Sequence, residues 1–93
     1  MIESFKHKGL QELFEKSKTA KLPQDRVKKI KMMLAVLDSA NELKDVNAPA
    51  FRLHKLKKPP LDGYYSIDVS GNYRIVFWFK NGKVSEVDFL DTH

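Results

Sequence analysis

The fold is decided by residues 73–79, which read Tyr73-Arg74-Ile75-Val76-Phe77-Trp78-Phe79. Nearly every position is β-branched or aromatic, so the segment predicts a β-strand. Successive side chains of a strand point to opposite faces, which separates the odd-numbered residues from the even-numbered ones. Because both faces are apolar, we expect this strand to lie in the middle of a sheet.

Arg74 is the exception in this strand, because a cation in such a position needs an anionic partner or an open cleft. Two interpretations are open. In the first, Arg74 forms a structural salt bridge with a sheet neighbour such as Asp68. In the second, Arg74 faces a cleft and binds an anionic ligand.

The residues after Ala50 predict a meander of about four antiparallel strands. Apolar and polar side chains alternate in residues 51–54, 64–69 and 84–89, as they do in half-buried strands. Asn81-Gly82 between alternating segments predicts a type I′ hairpin turn. Residues 57–63 read Lys57-Lys58-Pro59-Pro60-Leu61-Asp62-Gly63, which predicts a basic loop rich in turn residues.

Two helices are expected before this meander, after a short strand at residues 1–5. Leu10, Leu13 and Phe14 have the spacing of a helical apolar stripe. A longer helix is predicted from Pro23 to near Leu43, with this apolar stripe: Val27, Ile30, Met33, Leu34, Val36, Leu37 and Ala40. We therefore predict one α+β domain over residues 1–93, in which two amino-terminal helices pack on one face of an antiparallel sheet of about four or five strands.

The composition limits the possible functions. The 93 residues include no cysteine, which excludes disulfides and thiolate zinc sites. No apolar run approaches the roughly 18 residues of a membrane span, and the start lacks a signal-peptide apolar region, so we expect a cytoplasmic protein without a membrane partner. A net charge of +5 favours a polyanionic partner, with nucleic acid first. The alternative is a charge that serves solubility only.

Candidate catalytic side chains come from three distant segments that can meet on the sheet face that the helices leave open. They are His54, Lys57, Arg74, Asp91 and His93. Imidazoles carry protons near neutral pH, and cations stabilise the charge of a phosphorane. The set therefore suits metal-free cleavage of RNA, in which the 2′-hydroxyl is the nucleophile. The three histidines show no metal-ligand spacing, and no cofactor motif is present, so we predict neither a metal nor a cofactor.

Several blocks of the chain resemble HigB toxins of the RelE-like superfamily. The blocks are residues 1–10 (MIESFKHKGL), 52–57 (RLHKLK), 63–67 (GYYSI), 72–77 (NYRIVF) and 91–93 (DTH). The resemblance covers essentially the whole chain and implies a small α+β fold of the microbial-RNase type. It also implies a ribosome-dependent mRNA endonuclease that cuts the codon displayed in the A site of the 70S ribosome.

The resemblance implies partners as well. A HigA-like helix-turn-helix antitoxin is expected to neutralise the toxin, and operator DNA is expected to be bound only through the toxin–antitoxin complex. Without an antitoxin, the enzyme is expected to inhibit translation.

The resemblance assigns roles by position. His54, Lys57, Arg74, Asp91 and His93 match the family's catalytic positions, with Lys57 and Arg74 stabilising charge and either histidine carrying a proton. RNA or ribosome binding is expected for Arg52, Lys55, Lys58 and Thr92. Thr92 stands where many relatives have tyrosine. The alternative that remains open is a non-catalytic RNA- or ribosome-binding module, or a degenerate toxin that only binds its antitoxin.

Overall fold

Two helices and a four-stranded antiparallel sheet form the protein in a computed structural model that describes residues 1–92. The elements are α1 (Lys8–Lys16), α2 (Val27–Ser39), β1 (His54–Lys55), β2 (Tyr65–Asp68), β3 (Tyr73–Lys80) and β4 (Lys83–Asp91). The strand order is β1-β2-β3-β4, so β3 is internal, as its two apolar faces predicted. The predicted α+β class is confirmed.

One face of the sheet is buried against the two helices. Cross-strand pairing sets Ile75 between Ile67 and Phe89, which places all three on that face. The core joins them to the helix residues Leu10, Leu13, Ile30, Met33, Leu34 and Leu37. The predicted apolar stripes of both helices therefore face the sheet, except that Phe14 is 39 % exposed and packs against the Phe5 ring at the margin of the core. Within residues 1–92, the opposite sheet face carries no helix.

The predicted hairpin turn between β3 and β4 is confirmed. Asn81 has a φ of 52° and Gly82 a φ of 74°. A type I′ turn requires positive φ at both central residues, and asparagine and glycine tolerate it best.

The amino-terminal residues 1–6 run parallel to β4 along its outer edge. The Glu3 N–H donates to the Val84 carbonyl at 2.7 Å, and two isolated bridges replace the continuous strand that we expected. The interruption lies at Glu86, a bulge residue with a φ of 52°. Its N–H donates to the Ser4 hydroxyl at 2.9 Å instead of to a backbone carbonyl. The segment thus covers an edge that would otherwise expose unpaired backbone groups.

The second helix is shorter than predicted, because it spans Val27–Ser39 rather than Pro23–Leu43. Three residues of 3-10 helix precede it. After it, the Asp45 carboxylate accepts the N–H groups of Asn41 and Glu42, each at 3.0 Å. These bonds cap a separate 3-10 turn, so the chain leaves the helix four residues earlier than proline placement alone indicated.

The strand predicted over residues 51–54 is wrong in its bounds, because β1 contains only His54–Lys55. Pro49–Phe51 forms a 3-10 turn, for which the fixed φ of proline is suited. Arg52 then adopts a left-handed φ of 52° and ends the turn. The predicted faces nevertheless hold, since Phe51 is buried and Arg52 is exposed.

Candidate active site

A pocket of about 550 Å³ lies on the sheet face that the helices leave open. Its lining residues are Arg52, Leu53, His54, Asp68, Gly71 and Arg74. Strand pairing places Asp68 of β2 directly opposite Arg74 of β3. The 3-10 turn before β1 adds Arg52, and β1 itself adds His54. Hereafter this is the Arg74 pocket.

The Asp68 carboxylate holds two arginines in this pocket. Arg74 Nη1 lies 3.0 Å from Asp68 Oδ1, and Arg52 Nε lies 3.6 Å from Asp68 Oδ2. The salt bridge between Arg74 and Asp68, which the first of the two interpretations predicted, is therefore present. The side chain of Arg74 is still 33 % exposed, and it borders the pocket. A ligand can thus reach a guanidinium whose orientation is already set.

The His54 ring has one nitrogen held and one available. Nδ1 lies 2.9 Å from the carbonyl oxygen of Arg52. A carbonyl only accepts, so in this hydrogen bond Nδ1 carries the proton. The neutral ring then has Nε2 as its proton acceptor. Because His54 is exposed and lines the Arg74 pocket, Nε2 is suited to exchange protons with a bound ligand.

The basic loop forms a second pocket of about 460 Å³ that shares His54 with the first. Its lining residues are His54, Lys55, Leu56, Lys57, Lys58, Pro59, Pro60 and Leu61. The Leu56 N–H donates to the Tyr64 carbonyl at 2.7 Å, and the Gly63 N–H donates to the Leu56 carbonyl at 2.9 Å. The β1–β2 hairpin therefore continues into the loop and holds its base. Lys57 adjoins His54 through this second pocket and does not line the Arg74 pocket.

Lys55 lies on the other side of the sheet. It pairs with Tyr65 in the register of β1 and β2, and its Nζ lies 5.7 Å from the centre of the Tyr65 ring. This is a cation–π contact, worth about 0.5–1 kcal/mol at an exposed site. The structure does not bring the Lys55 amine to the Arg74 pocket.

Asp91 was expected on the open face, but the register places it on the helix side. It pairs with Tyr73, whose side chain packs against the core, whereas Leu90 pairs with Arg74. The Glu86 bulge explains the difference, since one extra residue in a strand exchanges the two faces for every later residue. Simple alternation from the start of β4 could not reveal this shift.

Thr92 is anchored to the β2–β3 turn. The Thr92 N–H and the Thr92 hydroxyl both donate to the Asn72 carbonyl, at 2.7 and 3.0 Å. Thr92 is thereby held close to the turn that carries Gly71. His93, the other predicted proton carrier, lies outside the described residues.

Sequence reasoning named Asp68 as a partner of Arg74 but missed that the same carboxylate also pairs with Arg52. The pair with Arg74 has a signal in the sequence. Residues 70–72 turn β2 into β3, and a hairpin centred there pairs position 68 with position 74. The left-handed turn at Arg52, which brings the second guanidinium to the same carboxylate, has no comparable signal.

Residues 1–92 lack both a membrane-spanning helix and a cluster of metal-binding side chains. Neither helix in this range is long and apolar enough to cross a membrane. Within the same residues, no group of three or more His, Cys, Asp or Glu side chains is arranged to hold a metal ion.

Comparisons with known proteins agree with this fold. A chain of the YoeB-YefM complex from Staphylococcus aureus superposes with a TM-score of 0.58 at 21 % identity, over 95 % of this chain and 93 % of that one; this likeness concerns the fold alone. The sequence model described as "RelE-like toxin of type II toxin-antitoxin system HigB" matches residues 3–93, which defines the class as a type II toxin. Endoribonuclease HigB of Proteus vulgaris is 43 % identical over 93 residues, the full length of both chains. The chain belongs to the HigB-like toxin family.

The family membership expected from the sequence blocks is therefore confirmed. A toxin of a type II system has an antitoxin as its partner. The functions of the individual site residues, by contrast, remain predictions.

Proposed function

We propose that this toxin is a ribosome-dependent mRNA endoribonuclease that cuts codons in the A site of the 70S ribosome and thereby inhibits translation. Its family and its full-length similarity to Endoribonuclease HigB support RNA cleavage. The single observation that carries the site is that Arg52, His54 and Arg74 line one pocket on the open face.

In this mechanism the mRNA 2′-hydroxyl attacks the adjacent phosphate in line, and the 5′-oxygen leaves. A base removes the proton from the 2′-oxygen, and an acid protonates the leaving oxygen. His54, through Nε2, and His93 are the two proposed proton carriers. Transfer by a placed group typically contributes about 10²–10⁴-fold to the rate. No metal or cofactor takes part in the proposed reaction.

Charge on the transition state is stabilised by Arg74 and Lys57. Arg74 is suited to this role, because a guanidinium binds phosphate oxygens through two parallel hydrogen bonds. Asp68 holds one edge of that guanidinium in place. Lys57 approaches from the second pocket, on the other side of His54.

The remaining predicted residues are proposed to bind or orient. Asp91 precedes Thr92 and His93 in the tail, and we assign it to orienting that tail from the helix side of β4. Binding of mRNA or rRNA is assigned to Arg52, Lys55, Lys58 and Thr92. The exposed lysines of the loop suit phosphate contacts that depend on salt concentration.

The proposed partners follow from the same function. We assign neutralisation to a HigA-like helix-turn-helix antitoxin that packs on the helix side, and operator DNA binding to the complex rather than to the toxin. The site of action is the cytoplasm, where the 70S ribosome and its mRNA are found. No membrane takes part.

Cleavage on ribosomes programmed with a single A-site codon tests this function. The wild-type protein should cut the displayed codon in the presence of a zinc-selective chelator that leaves the Mg²⁺ of the ribosome in place, whereas His54→Ala should cut at least about tenfold more slowly. Lys18→Ala, which removes an exposed lysine from the helix side, serves as the control. Ribosome binding without any cleavage would instead favour the non-catalytic module, and inhibition by the chelator would contradict a metal-free reaction.

A further inference from the structure

Trp78 presents an exposed aromatic ring on the open face, at the end of β3 that lies farther from the Arg74 pocket. Its side chain is 36 % exposed. It borders a separate pocket of about 360 Å³, whose lining residues are Glu3, Trp78, Lys80, Asn81, Lys83 and Ser85. The distance along the strand from Arg74 to Trp78 is four residues, or about 13 Å. Both side chains point to the same face, because their positions differ by an even number.

The indole is held in a fixed orientation. A Cβ at Gly63, which has a φ of 91°, would lie 2.8 Å from Trp78 Cζ3, so the loop backbone packs directly on the six-membered ring. The Tyr64 ring meets the indole edge-on, with 5.3 Å between centres. The Tyr64 hydroxyl donates to Glu86 at 2.9 Å, and burial together with this bond raises the pKa of Tyr64 above its ordinary value. A ring fixed in this way loses little freedom when a ligand stacks on it.

Cations surround this aromatic pair. Lys80 lines the Trp78 pocket and forms no ion pair among residues 1–92. Lys83 lies 3.6 Å from Glu3, but both side chains are well exposed, and such pairs are weak and easily exchanged. Lys6 places its Nζ 5.6 Å from the centre of the Tyr64 ring. Aromatic rings flanked by lysines are the usual surface for single-stranded nucleic acid.

We propose that Trp78, Lys80 and Lys83 form a second subsite for single-stranded mRNA, which holds a nucleotide flanking the cleaved codon. The base stacks on the indole, and the two lysines bind its phosphates. Between Arg74 and Trp78 on this face, Ser66 and Val76 are fully buried, so an mRNA strand whose scissile phosphate lies at Arg74 reaches Trp78 by passing over the side chains that cover them. This inference rests on the proposed function, because it takes mRNA as the substrate.

Intrinsic fluorescence tests the subsite without any cleavage. The chain contains one tryptophan, so its indole emission reports on Trp78 alone. The probe is a fully 2′-O-methylated hexa-adenylate, which lacks the nucleophilic hydroxyl and stays intact. Titration should quench the emission saturably, and Lys80→Ala/Lys83→Ala should weaken the affinity by about tenfold. Lys16→Ala/Lys18→Ala, which removes the same charge from the helix side, should leave the affinity nearly unchanged.

A second measurement uses programmed ribosomes. Trp78→Ala should raise KM at least about fivefold with kcat unchanged, and Trp78→Phe, which keeps a stacking ring, should restore most of the affinity. The effect should vanish when the mRNA is shortened so that it ends at the last nucleotide of the A-site codon. If the KM effect persists on the shortened mRNA, the indole contacts rRNA, and the assignment to mRNA is wrong.

The two proposals can fail separately. Absence of quenching by the hexa-adenylate overturns the subsite even if ribosomal cleavage is normal. Quenching by antitoxin but not by oligonucleotide would make Trp78 part of a protein interface and would equally overturn it. Saturable quenching in a protein that cannot cut mRNA would leave the subsite standing and refute the endonuclease.

Discussion

Arg74 and Asp68 face each other across the β2–β3 pair, with Nη1 and Oδ1 3.0 Å apart, and the second oxygen of the same carboxylate lies 3.6 Å from Arg52 Nε. One acid thus orients two cations in the Arg74 pocket. The acid also reduces the positive charge that an incoming phosphate meets. Asp68 therefore affects both the position of Arg74 and the attraction of RNA, and these two effects have separable consequences.

Replacing Asp68 with Asn should separate them. The amide keeps the shape but loses the charge, so Arg74 loses its anchor while the pocket becomes more positive. We expect kcat for ribosomal cleavage to fall about tenfold, because a misplaced stabilising group loses much of its effect. KM should not rise. Glu15→Gln, an equal charge change on α1, is the control, and an unchanged kcat with a raised KM would contradict the anchoring role.

The two loop lysines should differ in effect. Lys58→Glu should weaken ribosome binding, because it reverses a charge that we propose to contact phosphate, and the loss should shrink as salt is raised. Its cleavage rate on saturated ribosomes should be nearly normal. Lys57→Ala should reduce both binding and the saturated rate, since Lys57 adjoins His54 in the second pocket. Identical behaviour of the two variants in binding and single-turnover assays would refute this division.

The antitoxin should depend on the exposed lysines of α2. Reversing Lys28 and Lys29 to Glu should weaken the complex at least about fivefold, because an acidic partner surface would then meet like charge. Cleavage should remain near the wild-type rate. Calorimetric titration with the antitoxin measures the first effect, and Lys80→Glu/Lys83→Glu provides an equal charge change on the open face. If that control pair weakens the complex instead, the antitoxin covers the open face.

The lowered pKa of Asp45 predicts how the stability of the folded protein changes at acidic pH. The backbone N–H groups of Asn41 and Glu42 hold the pKa of Asp45 below its ordinary value of 3.8. Because the pKa of Asp45 is lower in the folded protein, the carboxylate adds to the free energy of unfolding. This contribution is fully present above the ordinary pKa and is lost as the pH falls through the folded pKa. Asp45→Ala should therefore lower the urea midpoint at pH 7, and the difference from wild type should shrink towards pH 2. A difference that does not change with pH would contradict this origin.

Most of the fold could be predicted from local patterns. The two apolar faces of residues 73–79 identified the internal strand, and Asn81-Gly82 identified its hairpin. Helical stripes likewise found the core faces of both helices. These features depend on side-chain periodicity and turn chemistry, which are local properties of the chain.

What could not be predicted depends on single backbone events. The Glu86 bulge moved Asp91 to the helix side, and the left-handed conformation of Arg52 brought a second guanidinium to Asp68. Neither residue is a glycine, so composition gives no warning of a positive φ there. Among the candidate site residues, His54 and Arg74 lie on the expected face of the sheet. The reason is that the β1–β2 and β2–β3 pairs, which set their register, contain no bulge.

The most direct test of the central claim is the single-turnover cleavage rate of Arg74→Ala on ribosomes programmed with one A-site codon. The claim is that the Arg74 pocket is where mRNA is cut. Arg74→Ala should lose at least about 10²-fold in rate, because a positioned cation no longer stabilises the phosphorane. It should keep its circular dichroism spectrum and its affinity for the antitoxin, and Arg74→Lys should recover only part of the rate. A folded Arg74→Ala protein that cuts at the wild-type rate, or a variant that unfolds because the Asp68 pair is purely structural, would contradict the account.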